Sequence, residues 1–171
     1  MRNLMVTTFL TLDGVMQAPG GPGEDDSDGF AYGGWSVNFW DDLMGQVMDE
    51  ATSKPFAMVL GRRTYDIMAA FWPHAPEEAG GKVFNDATKY VASRGRPTLE
   101  WSNSVLIEGD AAQGIAELKK EDGPELQVHG SANLSRHCCP ITSSIGSVFG
   151  SSPSSSDRAN ACSRKAPFPR R

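Results

Sequence analysis

Cysteine is nearly missing from this chain. None occurs before residue 138, and Cys138, Cys139 and Cys162 form an odd set in which two are adjacent. That spacing suits neither a zinc site nor a dithiol redox pair, and it supplies no disulfide framework. Long apolar runs are missing as well, with nothing near the roughly 20 residues a membrane-spanning helix requires. The opening stretch MRNLMVTTFLTLDGV is apolar but broken by Thr7, Thr8, Thr11 and Asp13. It lacks the ordered basic, apolar and small-residue segments of a signal peptide. Histidine is scarce: His74 lies in a proline-bounded loop and is expected to be exposed, His129 closes a strand, and His137 stands far along the chain. No metal-ligand cluster can be assembled from them. There is no Walker loop, nucleophile elbow or Gly-x-Gly-x-x-Gly fingerprint. These absences describe a cytoplasmic protein that spans no membrane.

Positive charge is also thin where a core could form. The formal net charge is −5, but residues 135–171 hold six basic residues and one acid, leaving 10 basic and 20 acidic residues in 1–134. A body this acidic argues against a nucleic-acid partner, and an anionic ligand would need local arginines and backbone amides. The 171 residues suffice for one domain with a real core.

What is present alternates between two periods. NLMVTTFLTLDG reads as a strand running into an Asp-Gly turn, followed by a long Gly/Pro/Asp-rich loop. NFWDDLMGQVMDEATS has helical spacing, with Asn38 the expected cap. PFAMVL is a strand ending at Gly61, and RRTYDIMAAFW a helix with Tyr65, Met68 and Trp72 on one face. KYVAS and SVLIEGD follow as strands, Asp110 caps a helix over AAQGIAELKK, ELQVHG is a further strand, and SANL opens another helix. The alternation predicts an α/β fold, a mostly parallel sheet flanked by helices.

In such sheets ligands collect beyond the carboxyl ends of the strands. Three of those ends carry suitable chemistry. VLGRRTYD passes from strand to glycine to helix, with free first-turn amides, Arg62 and Thr64 suited to a pyrophosphate. A plain glycine turn with a Thr cap and exposed arginines fits that stretch equally well. YVASR places a hydroxyl and a guanidinium where a ribose 2′-phosphate would need them, although Ser-Arg after a strand is usually an ordinary loop. VHGSAN repeats the strand–glycine–helix step at Gly130. For His129, filling space is the expected role, with ligand contact the alternative.

Taken in order, TLDGV, VLGRRTYD, KYVASR and LQVHGSANL resemble the dihydrofolate-reductase-like superfamily, and most closely the riboflavin-biosynthesis reductase domain in a stand-alone form. The resemblance covers about residues 1–134. It implies an NADPH-dependent reductase transferring a hydride to a small heterocycle resembling 5-amino-6-(5-phosphoribosylamino)uracil or a pterin. It assigns Gly61, Arg62 and Thr64 to the pyrophosphate, Ser93 and Arg94 to the 2′-phosphate, and Gly130, Ser131 and Ala132 to the second turn under the cofactor. Asp13, Gly14 and Trp35 fall on the substrate side, Gly20–Trp35 takes the place of a mobile active-site loop, and two copies would pair as a homodimer. Asp41 and Asp42 lie where dihydrofolate reductases keep a substrate carboxylate, but on an exposed helix face a solvated aspartate is the expected reading. His129 stands where the riboflavin enzymes tend to carry an acid.

From about Ser135 the chain changes character, becoming rich in serine, cysteine and arginine and devoid of leucine. Plausible codons for CCPITSSI, read one nucleotide earlier, give Leu-Leu-Pro-His-His-Leu-Ile-Asp, which is like the family's helix end. The expectation is therefore a reductase domain over 1–134, incomplete at its last strands, and a frame-shifted, disordered tail over 135–171. Made as written, such a chain would be marginally stable, and a catalytically inactive remnant is the alternative to an enzyme.

Overall fold

Each apolar run of four to six residues becomes a strand, and the stretches with helical spacing connect one strand to the next. The computed structural model describes residues 1–138. In chain order the elements are β1 Leu4–Thr7, α1 Asp42–Thr52, β2 Phe56–Gly61, α2 Arg62–Phe71, α3 Gly81–Asp86, β3 Thr88–Ala92, β4 Ser104–Ile107, α4 Ala111–Lys120, β5 Glu125–His129 and α5 Ala132–Cys138. The strands form one sheet in the order β1-β5-β2-β3-β4, and every pairing is parallel. All five carboxyl ends therefore open on one edge.

Burial on both faces explains the continuous apolar runs. Phe56, Met58 and Leu60 of β2 point to one side and join Tyr65, Phe84, Ala87, Val91 and Trp101. Ala57 and Val59 point to the other and join Leu4, Ile107, Ile115, Leu126, Val128 and Leu134. The helical face expected of α2 is the one it buries: Tyr65 is enclosed, with Met68 and Trp72 packed beside it. Asp110 caps α4, its carboxylate accepting the amide of Gln113 at 3.0 Å. Gly114 lets α4 lie close to β4, since a Cβ there would stand 2.3 Å from Ile107 Cγ2.

Three local expectations are corrected. The first strand stops at Thr7, because β5 offers no partner beyond the Thr7–His129 register. The Asp-Gly turn follows outside the sheet, with the Gly14 amide donating to Thr11 O. Asn38 does not cap α1, because Val37–Phe39 makes its own short turn and Trp40 is extended. Asp41 is the cap, accepting the Met44 amide at 2.8 Å. Finally, α3 and the strap at 99–103 were not foreseen. They are organised around Lys89, whose side chain is fully enclosed and donates to the carbonyls of Asn85 and Ser102 at 2.7 and 3.0 Å beneath the Trp101 ring. Burial pushes this amine down to about 8.

The β1 side is less covered. Among the described residues β1 is an edge strand, α1 has no buried residue, and Leu10, Leu12, Phe39, Trp40 and Leu43 are exposed. The change of frame inferred from about Ser135 and the tail expected to 171 fall, beyond Cys138, outside the described residues. So does the expected loss of the family's last strands.

Candidate functional site

The parallel register decides which loops can meet. Gly61 is the register partner of Ala92, so Ser93 and Arg94 leave the sheet beside the β2–α2 turn. The β5 strand lies on the other side of β2, and its exit turn closes over the same edge. There the Ser131 hydroxyl accepts the Gly61 amide at 3.0 Å, and the Gly130 amide donates to Thr7 O at 2.9 Å. A Cβ on Gly130 would sit 4.0 Å from the Thr64 methyl. Gly61, Thr64, Gly130 and Ser131 are thus one cluster.

Two consecutive residues of this cluster adopt left-handed backbone, Gly130 at φ +57° and Ser131 at φ +50°. Glycine adopts that conformation freely, whereas serine does so at a cost. The strained residue is the one whose hydroxyl reaches across to Gly61. Ser135 supports the turn from α5, its hydroxyl donating to Gly130 O at 3.1 Å. Gly61 is the cap residue of α2 and brings no side chain, so the first-turn amides of Arg62, Arg63 and Thr64 have no side-chain cap.

The two arginines differ in their engagements. Arg62 makes a two-pronged contact with Asp66, both at 2.8 Å, on the exposed flank of α2. Arg63 turns the other way and pairs with Asp25 at 2.8 Å. Ser93 accepts the Gly95 amide, and Arg94 is exposed on the same turn. Ala132 begins α5.

The residues expected on the substrate side are dispersed over the first loops. Asp13 is exposed and accepts the Thr11 hydroxyl, which holds its carboxyl below the usual range. Gly14 sits at φ +87°. Trp35 is half-buried and donates its indole N–H to Gln17 O at 2.8 Å. Among the described residues, no hydrogen bond joins Asp13, Gly14 or Trp35 to the glycine cluster. Asp42 is exposed in the first turn of α1, and the Asp41 carboxylate is engaged as the cap.

His129 fills space. It is 6 % exposed, lies against the Phe56 and Phe84 rings, and meets Gln127 Oε1 at 3.1 Å. The Gln127 amide nitrogen is committed to Ala51 O at 2.8 Å, so its oxygen accepts and His129 Nε2–H donates. Burial pushes the imidazole down to about 4, and it is neutral at ordinary pH. His74 is exposed, and among the described residues no group of three or more His, Cys, Asp or Glu could hold a metal. No helix among them is long and apolar enough to cross a membrane. A groove of about 380 Å³ bordered by Pro73, Asn85, Glu100, Trp101 and Ser102 lies at the opposite, amino edge of the sheet.

Sequence reasoning missed Asp25 and Arg63. The acidic run GEDDSD reads as a solvated loop, and nothing local marks Asp25 as the carboxylate that meets Arg63.

A parallel five-stranded sheet with helices on its faces and glycine turns gathered at the carboxyl edge defines a dihydrofolate-reductase-like α/β protein. The profile of the RibD C-terminal domain matches residues 2–139, and the chain belongs to that family. A search of the curated proteins found no match. Membership implies a reductase-type function of the riboflavin pathway and a site for a nucleotide cofactor.

Proposed function

We propose that this chain binds NADPH and reduces a small heterocyclic substrate, of the kind resembling 5-amino-6-(5-phosphoribosylamino)uracil or a pterin. The observation that carries the reading is the single cluster formed by Gly61, Thr64, Gly130 and Ser131, with Ser93 and Arg94 leaving the adjacent strand. The donor set fits a diphosphate: uncapped amides at the start of α2, the Thr64 and Ser131 hydroxyls, and a guanidinium on an exposed helix flank. Ser93 and Arg94 would take the 2′-phosphate, so NADPH would be preferred to NADH. When bound, the reduced nicotinamide supplies a hydride. The chain's residues supply orientation and exclude water, which requires no acid–base pair. Asp13, Gly14 and Trp35 would border the substrate, and Ala132 would line the second turn. In this reading residues 1–134 are the reductase unit, acting in the cytoplasm as a homodimer.

The test is a fluorescence titration with NADPH and NADH, followed by turnover with a pterin or ribosylaminopyrimidine. Arg94→Ala should cut the preference for NADPH by about tenfold while leaving NADH binding within about twofold. Equal affinity for the two nucleotides in the parent protein would refute the assignment of Ser93 and Arg94.

A second reading is a nucleotide-binding remnant without turnover. It is favoured by the exposed Leu10, Leu12, Phe39, Trp40 and Leu43 beside the edge strand β1. NADPH binding without turnover of either substrate class would support it.

A further inference from the structure

The loop between β1 and α1 has an internal scaffold of its own. The Gln17 side-chain amide donates to Asp25 O, Ser27 O and Ser27 Oγ at 3.0–3.1 Å. Glu24 accepts the amides of Gly20 and Gly21, Trp35 donates back to Gln17 O, and Ser36 donates to Pro19 O at 2.7 Å. These side-chain bonds all stay inside the loop. Arg63 differs, because it reaches the loop from the first turn of α2, one residue before Thr64 of the glycine cluster.

The partner it finds is unusual for a surface acid. The Asp25 side chain is only 12 % exposed, and the same carboxylate oxygen accepts the Ser27 hydroxyl at 2.6 Å and the Ser27 amide at 3.1 Å. Burial raises the pKa of this carboxyl, but the Ser27 bonds and Arg63 outweigh it and the net shift is downward. A nearly buried carboxylate that lost its guanidinium would keep only neutral donors, an unfavourable state. The Arg62–Asp66 pair has no such constraint, since both side chains are more than a third exposed and such pairs hold weakly.

We propose that the two adjacent arginines divide the work. Arg62 is free to exchange Asp66 for an anion, whereas Arg63 is a positioning residue that fastens the 17–36 loop to the nucleotide turn through Asp25. The loop and the α2 turn then behave as one wall, and nucleotide binding steadies the loop through it. This inference rests on the nucleotide reading above for its ligand, but the fastening itself can be measured without one.

The experiment is chymotrypsin cleavage after Phe30, Tyr32 and Trp35, combined with NADPH titration, on the full chain and on Arg63→Ala, Asp25→Asn and Arg62→Ala. Each is assayed at the same interval below its own melting temperature. Arg63→Ala and Asp25→Asn should each speed loop cleavage about tenfold while changing NADPH affinity by less than about threefold. Arg62→Ala should weaken NADPH about tenfold with cleavage of the free protein unchanged. Saturating NADPH should slow cleavage by about twofold in the parent and not in Arg63→Ala, the size that reciprocal coupling allows when the affinity changes by less than about threefold. Arg63→Lys should restore part of the protection. Unchanged cleavage in both Arg63→Ala and Asp25→Asn would overturn the proposal, and so would a tenfold loss of NADPH affinity in Arg63→Ala, which would make Arg63 a direct phosphate ligand. If the parent binds no NADPH, the nucleotide reading fails, and the cleavage rates still decide the fastening.

Discussion

The two flanks of β5 are built differently. On one side β2 is six residues long, covered on both faces and bordered by helices that bury Tyr65, Phe84 and Ile115. On the other, β1 is four residues long and α1 buries none of its residues. The glycine cluster hangs from the covered flank, whereas the residues expected on the substrate side, Asp13, Gly14 and Trp35, lie in the loop that leaves the open one. The glycine cluster is thus backed by the core, whereas residues 8–52 contribute to neither core cluster.

Truncating a side chain in each flank tests that contrast most strongly. Leu60→Ala removes a fully buried side chain and should cost about 3 kcal/mol. Leu43→Ala, on the exposed face of α1, should change stability by less than about 0.5 kcal/mol. Urea midpoints of the two variants measure the difference, and comparable losses would show that α1 is as well packed as α2.

The next effect is set by pH and centres on the buried polar pair of β5. The folded imidazole of His129 titrates near 4, below its ordinary 6.5. Between those values the unfolded chain takes up a proton that the folded chain does not. The stability present above about pH 6.5 is therefore lost as pH falls toward 4, by up to about 3 kcal/mol, with no further loss from this group below that. His129→Phe should flatten the dependence across that window. Identical slopes in parent and variant would show that the imidazole is protonated in place.

Helix caps give the smallest effect and the finest comparison. Asp110→Ala should cost about 1 kcal/mol of global stability, because α4 docks Ile115 into the core. Asp41→Ala should fray α1 locally, raising amide exchange over 42–45 with a smaller global change. Equal global losses would again argue that the flanks are alike.

Much of the framework was legible from the chain. PFAMVL and ELQVHG announce strands, and Tyr65, Met68 and Trp72 trace the inward face of α2. Asp110 marks a cap, because these signals depend on neighbours within a turn or a strand. The strand–glycine–helix steps at Gly61 and Gly130 were visible for the same reason. Asn38 misled because Phe39 and Trp40 share helical spacing with Leu43 and Met44 yet stay outside α1, where Asp41 has the extended backbone that a cap needs. The Lys89 cage was invisible, since its acceptors are backbone carbonyls from two separate segments.

Local patterns in the chain were enough to specify most of the alternating elements and the residue types at their ends, because apolar period, glycine and capping side chains act over a few residues. Folding alone decided which ends would meet. Parallel register put Gly61 beside Ala92 and brought Ser131 to the Gly61 amide, and it placed Arg63 within reach of one carboxylate among several in its run. Contacts between residues 38 and 70 positions apart depend on the geometry of the whole sheet, and no short stretch of sequence encodes that.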